Sequence, residues 1–324
     1  MASIVTQKVL SDGRVGRGAH AGSLARKGAW AGLGLAGLLL GGLPLLLARR
    51  ILYPPWVVQL PPEEADALEI SVEVRPEKVE FVARDGKKLS AWFVPAPASI
   101  VGPWPCVLLV HGYGGHKEQM VRYGQMLHDG GFAVLMFDMA GSGLRYGEPI
   151  TLGYKERWHV MDAVRYLRTR TDVDARRLGV LGVSMGAATA LLAAAEDLSI
   201  KAIVADSAYA TLTDMIKPGI RAFLGRPALV LAPLIVRYAE TMLGMRSSEI
   251  RPEEAAGQLG ERPVLVIHGE DDPLTDVASA HRIYAAVPGP KELWVVPDCE
   301  HAYGPVVAEQ EYKQRINAFF ARWL

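Results

Sequence analysis

Short, almost unbroken apolar runs recur along the chain beyond residue 77: CVLLVHG from Cys106, FAVLMFD from Phe132, RLGVLGVS from Arg177, KAIVADS from Lys201, PVLVIHG from Pro263 and ELWVVPD from Glu292. Runs this short, apolar at successive positions, predict parallel strands buried on both faces. Between them, or after the last, apolar residues fall at helical spacing over 117–128, 154–170, 185–196, 277–286 and 309–324. Ahead of the first run, KVEFVAR and KLSAWFVP flank Asp85-Gly86, the pattern of an antiparallel hairpin. Strand and helix therefore alternate. This predicts an α/β fold, a mostly parallel doubly wound sheet with a leading hairpin, whose ligand chemistry lies just beyond the carboxyl ends of the strands.

Two stretches depart from that alternation. Residues 209–260 contain no clear strand but carry MIKPGIRAFLGRPALVLAPLIVRYAETMLGM, which reads as a small helical cap inserted between two strands. The rival is an irregular crossover, since Pro218, Pro227 and Pro233 interrupt any long helix. Arg221, Arg226 and Arg237 argue against a membrane span there. The second stretch, Gly28 to Ala48, has 21 consecutive residues without a charge. As a helix it would cover roughly 30 Å, the thickness of a bilayer's hydrocarbon core, and it predicts an uncleaved transmembrane anchor. The preceding Lys8, Arg14, Arg17, Arg26 and Lys27 would also suit a signal peptide. The apolar run, however, exceeds the ~7–15 residues of a signal core, and it ends in Arg49-Arg50 without a small-residue cleavage site. More basic residues before the run than after it put the N-terminus in the cytoplasm and the remaining chain across the membrane. The expected organisation is a basic segment at 1–27, the anchor at 28–48, a Pro-rich connector at 49–76 and a folded domain at 77–324.

Composition narrows the function. Lys plus Arg balances Asp plus Glu at 35 each, so no net field exists to attract nucleic acid, and none is expected as a partner. The two cysteines, Cys106 and Cys299, make neither a metal spacing nor a disulfide framework. One falls at the start of a strand and the other past the end of another, which argues against a bridge. Neither a metal nor a cofactor is expected.

Gly182-Val183-Ser184-Met185-Gly186 ends a strand run and opens the helical pattern MGAATALLAAAE. That is the setting of a nucleophile elbow, where the glycines let strand and helix backbones come close. A serine hydroxyl needs a base to take its proton, and the base needs a carboxylate to hold it. PVLVIHG leads into Glu270, Asp271 and Asp272, and ELWVVPD leads into Cys299, Glu300 and His301, so an acid and a base follow the serine at neighbouring strand ends.

Gly-x-Ser-x-Gly, His268-Gly-x-x-Asp272 and a late His301 together resemble the alpha/beta-hydrolase superfamily over about 78–324. The apolar N-terminal run, Pro-rich connector, hairpin and small cap are most similar to its single-pass, membrane-associated, esterase-like branch. The resemblance implies a catalytic triad of Ser184, Asp272 and His301, and an oxyanion hole from the backbone N–H groups of Met185 and Tyr113. Tyr113 lies in the glycine-rich turn His111-Gly112-Tyr113-Gly114-Gly115. One departure stands out. The family's Asp-x-Arg-Gly-x-Gly-x-Ser loop reads here Asp138-Met-Ala-Gly-Ser-Gly-Leu-Arg145, a change expected to alter local hydrogen bonding only.

The acid has alternatives. Asp271 adjoins Asp272, and Asp206 ends the KAIVAD strand, from which some relatives take their acid; Glu270 is expected in solvent. His159 and His281 sit within helical patterns and make poor bases, while His111 and His268 open His-Gly turns that read as structural. Cys299 reads as a small buried residue supporting the histidine loop rather than a redox sensor. The expected reaction is acyl transfer to water from an ester or thioester with an apolar, lipid-like acyl group. A peptidase or amidase of the same fold is the first alternative, and a non-catalytic binding protein of this fold the second.

Overall fold

The computed structural model describes residues 38–57 and 76–324. The basic segment, residues 28–37 of the expected anchor and 58–75 of the connector lie outside the described residues. Eight strands form one sheet in the order β1-β2-β4-β3-β5-β6-β7-β8. The hairpin β1 (Glu77–Val82) and β2 (Lys88–Val94) is antiparallel, and β2 joins β4 antiparallel at the register Ala91 to Phe137. The remaining strands, β3 (Trp104–Val110), β4 (Ala133–Phe137), β5 (Val173–Val183), β6 (Ile200–Asp206), β7 (Val264–Gly269) and β8 (Lys291–Val296), run parallel. The mostly parallel sheet with a leading hairpin is the one the alternation of short apolar runs predicts, and its order is the fold of the alpha/beta hydrolases that the resemblance implies.

The helices, in chain order, are α1 (Leu43–Leu52), α2 (Val121–Asp129), α3 (Glu156–Leu167), α4 (Met185–Glu196), α5 (Leu212–Leu224), α6 (Ala232–Leu243), α7 (Pro252–Gly257), α8 (Ala278–Ala286), α9 (Gly304–Val307) and α10 (Glu309–Trp323). Two apolar layers enclose the sheet. On one face Leu108, Val110, Leu135, Phe137 and Val180 pack under α3 and α4; on the other Val107, Leu109, Val134 and Leu181 pack under α2 and α10. Successive residues of β3 thus go to opposite layers, which is why its run is apolar without alternation.

Between β6 and β7 lies a helical cap of α5 and α6, after which α7 packs back on α4 and α8. Thr211 caps α5, its hydroxyl oxygen accepting the Asp214 N–H at 3.2 Å. Pro218 lies inside α5 and does not end it, contrary to the reading of the prolines as breaks. The helix loses one backbone bond there but keeps its apolar face. Leu212, Met215, Ile216, Gly219, Ile220 and Phe223 recur at three- and four-residue spacing and all face one cavity. Pro227 and Pro233 instead stand in the first turns of a 3-10 segment and of α6, where a missing N–H costs little.

The end of the run expected to be lipid-embedded is packed on protein. In α1, Pro44, Ala48 and Leu52 are buried, Leu47 and Ile51 half-buried, and Leu45, Leu46, Arg49 and Arg50 exposed. Ala48, Leu47 and Ile51 join Ile220, Ala228, Ala232 and Ile235 of the cap in one apolar cluster. The helix forms because Pro44 suits its first turn, Leu and Ala propagate it, and Arg49 and Arg50 complement its C-terminal dipole. Pro54 and Pro55 follow Tyr53 and stop it. Among the described residues no single helix is long and apolar enough to cross a membrane. A bent pair, Arg226–Leu243 with Ser247–Gly257, has the length and composition, but it breaks by 73°, and α6 within it walls the cavity.

Candidate active site

Ser184 stands between β5 and α4 with φ 56° and ψ −119°, a conformation costly for a residue with a side chain. The turn holds it there. Its N–H donates to the Asp206 carbonyl at 2.8 Å, and its carbonyl accepts from Ala187 and Ala188 at 3.0 and 3.1 Å. A Cβ on Gly182 would overlap the Gly186 carbonyl, and one on Gly186 would overlap the Val110 carbonyl. Only glycine lets the elbow close at these two places.

His301 follows β8 and Asp272 follows β7. Ser184 Oγ lies 2.8 Å from His301 Nε2, and His301 Nδ1 lies 2.6 Å from Asp272 Oδ2. The Asp272 side chain is fully buried, and its second oxygen accepts the N–H groups of Leu274 and Thr275 at 2.8 and 2.9 Å. Burial by itself raises the Asp272 carboxyl. The bonds from His301 and Thr275 outweigh it and hold the group below the usual carboxylate range. A buried, ionised carboxylate in this position fixes the histidine with its proton on Nδ1, leaving Nε2 free to accept from the serine.

The rival acids are placed elsewhere. Asp271 and Glu270 are exposed. Asp206 is buried and takes hydrogen bonds from Tyr312 Oη at 2.8 Å and Ser207 Oγ at 2.9 Å, with burial raising its carboxyl. His111 donates from Nδ1 to the Gly112 carbonyl and accepts the Met139 N–H at Nε2, so it supports the loop below Tyr113. His268 donates from Nε2 to the Thr275 carbonyl at 2.8 Å. A Cβ on Gly269 would strike the Cys299 carbonyl, so the His268-Gly269 turn is what lets the histidine loop lie against β7. Cys106 and Cys299 are both buried and unbridged.

The backbone N–H groups of Tyr113 and Met185 have no acceptor within the protein among the described residues, and both residues line the cavity containing Ser184. Gly112 touches Ser184 directly, since a Cβ there would lie 3.5 Å from the serine Cβ. The altered loop after β4 is held by other means. Lys117 Nζ reaches Asp138 at 2.7 Å, and buried Arg145 pairs with Glu148 at 2.6 Å and with Asp85.

Above the serine lies a cavity of about 500 Å³, walled mainly by α5 and α6 and by Ile51 and Leu52 of α1. Two contributors escape a reading of the sequence. Thr275 Oγ1 donates to Asp272 Oδ2 at 2.7 Å and lies 3.2 Å from His301 Nδ1. Asp272-Pro273 signals a turn in which such a bond arises, and that is its only trace in the sequence. The other is α1, whose Ile51 and Leu52 line the cavity.

The sheet order and the helices around it are those of the alpha/beta-hydrolase fold. The chain matches the family described as "Serine aminopeptidase, S33" over residues 103–256. The uncharacterized protein YqkD of Bacillus subtilis is 28% identical over 215 residues, covering 66% of this chain and 70% of that protein. Thiohydrolase aneE of Aspergillus aculeatus is 27% identical over 194 residues, 58% of this chain and 54% of that one. Among solved structures, the Pyrococcus furiosus esterase Pf2001 superposes with a TM-score of 0.64 at 25% identity, over 83% of this chain and 98% of its own.

Proposed function

We propose that the protein is a serine hydrolase that cleaves a carboxylic ester or thioester with an apolar acyl group. The observation that carries this reading is the in-line set Ser184, His301 and Asp272, at 2.8 and 2.6 Å, on the floor of an apolar cavity. His301 Nε2 takes the Ser184 proton as Oγ attacks the carbonyl carbon. The oxyanion is held by the N–H groups of Tyr113 and Met185, and His301 returns the proton to the leaving alcohol or thiol. Water then enters by the same route reversed and releases the acid. No cofactor takes part, and no nucleic-acid partner is proposed.

The similarity to an esterase and to a thiohydrolase supports this substrate class. The matched family's description favours a second reading, attack on a peptide amide, and Glu240 is the one carboxylate lining the cavity among the described residues. Its Oε1 is already engaged by Ser247 N and Oγ at 2.9 and 2.7 Å, so it is partly spent as an anchor for a substrate amine. Attachment to a membrane through the apolar run that begins at Gly28, with the domain on the extracytoplasmic side, is part of the proposal; the end of that run, from Pro44 on, packs on the cap and lies outside the lipid-embedded part. Protease accessibility in sealed vesicles tests it.

The deciding experiment gives the full chain in detergent a nitrophenyl ester series of increasing acyl length, an aminoacyl nitroanilide and a fluorophosphonate probe, with Ser184→Ala alongside. Ester turnover and labelling that both vanish in Ser184→Ala are expected, a loss of about 10⁴-fold or more. Preferential nitroanilide cleavage would select the amidase reading. Absence of labelling would favour a binding protein.

A further inference from the structure

The segment before the hydrolase domain has no part in the reaction as the sequence presents it, yet it reaches the centre of the site. Ile51 and Leu52, at the end of α1, line the cavity together with Ser184. The carbonyl of Ile51 accepts the Tyr113 hydroxyl at 2.5 Å, and the carbonyl of Leu52 accepts the Ile150 N–H at 2.9 Å. Burial pushes the Tyr113 phenol up, so it stays a neutral donor.

Four residues further on, Trp56 stacks on Phe223 of α5, with centroids 5.5 Å apart and planes at 15°, and meets Tyr113 edge-on at 6.1 Å. Tyr113 and Phe223 are themselves 5.0 Å apart. Three rings from three separate parts of the chain thus clasp the oxyanion loop, the cap and the N-terminal segment together. A Cβ on Gly114, whose φ is +66°, would meet Trp56 at 3.0 Å, so the loop's conformation and the tryptophan's seat are matched.

The geometry assigns the C-terminal end of α1 and Trp56 to the active site: Ile51 as a specificity determinant that walls the acyl pocket, and the Ile51 carbonyl and Trp56 as positioning groups that fix Tyr113. This rests on the hydrolase reading above and deepens it. The Tyr113 backbone N–H works only if it is held where the carbonyl oxygen becomes negative. Its loop is glycine-rich, and its side chain is its tether. The tether's hydroxyl ends on α1 and its ring on Trp56 and Phe223.

The test uses the full chain. Ile51→Trp fills the wall and is expected to lower kcat/KM for the longest acyl esters by roughly 10-fold or more relative to the shortest, as pocket volume changes do. Tyr113→Phe and Trp56→Ala are expected to lower kcat by about 10-fold with KM little changed, since they act on the transition state. Trp56→Phe, which keeps the stack, restores most of it. Leu46→Ala, on the exposed face of α1, leaves the whole profile unchanged. An Ile51→Trp profile that superimposes on the unaltered one, with fluorophosphonate labelling intact, would overturn the inference alone. Failure of the unaltered chain to label would instead remove the hydrolase reading beneath it.

Discussion

The floor and the roof of the cavity are built by opposite means. On the floor, Ser184, Asp272 and His301 follow the carboxyl ends of β5, β7 and β8, and backbone touches backbone at Gly182, Gly186 and Gly269, where no side chain fits. The roof of α5, α6 and α1 meets the cavity through Leu, Ile, Met and Phe side chains, and its outer face lies open, with Leu46 of α1 61% exposed and Val230, on the turn joining α5 to α6, 85% exposed. A floor of that kind tolerates one geometry; a roof of interchangeable apolar groups tolerates many. The chemistry is therefore expected to fail abruptly and the selectivity to drift.

The sharpest test on the floor is Asp272→Asn. The amide would donate to His301 Nδ1 and force the proton onto Nε2, the atom that must accept from Ser184. A loss of about 10,000-fold in kcat is expected, with KM little changed. The same residue ties activity to stability. Its carboxyl is held below the usual range, so the stability it contributes is complete above the unfolded-state value of about 4 and is lost as pH falls through the lower folded value. Acid titration of circular dichroism should show Asp272→Asn losing less stability than the parent as pH falls below about 4. An equal loss in both would mean that the His301 and Thr275 bonds do not hold the carboxyl down.

Gly186→Ala comes next. Its methyl group would collide with the Val110 and His111 carbonyls, both of them backbone and unable to swing aside. Destabilisation of about 3 kcal/mol or more is expected in denaturant melts, and the surviving folded fraction should label poorly. A folded, active variant would mean that elbow and strand β3 are less tightly matched than the contrast requires.

The same contrast explains what could be read from the sequence. The elbow, the two strand-end turns and the strand runs were legible because each demands particular residues at fixed spacing: glycine where backbones touch, serine on the turn, histidine and aspartate beyond neighbouring runs. The oxyanion donors proposed above are backbone groups and leave no residue signature, so Tyr113 and Met185 are reached only through the family resemblance. The docking of α1 was hidden for a different reason. A helix apolar on every side does not disclose which side is buried, and the face that selects Pro44, Ala48 and Leu52 belongs to a cap encoded much later in the chain. The course of α5 through Pro218 was hidden likewise, because the cavity-facing stripe outweighs the one missing hydrogen bond.

The smallest effect, and the one that probes the roof, is expected from Met215→Ala. Met215 lies on the α5 stripe that faces the cavity and is only half-buried, packing beside Leu212 and Tyr209. Shortening it opens space that a substrate can fill, and a site that opens to a cavity need not collapse or leave a void when a side chain is lost. The variant should move the acyl-length optimum upward, raising kcat/KM for the longer esters by about 3- to 10-fold relative to the shorter. Its thermal unfolding should fall by less than about 1 kcal/mol. If stability instead dropped by several kcal/mol with the length profile unmoved, Met215 would be packing core and not pocket wall. The roof would then be as rigid as the floor, and the division between them would not hold.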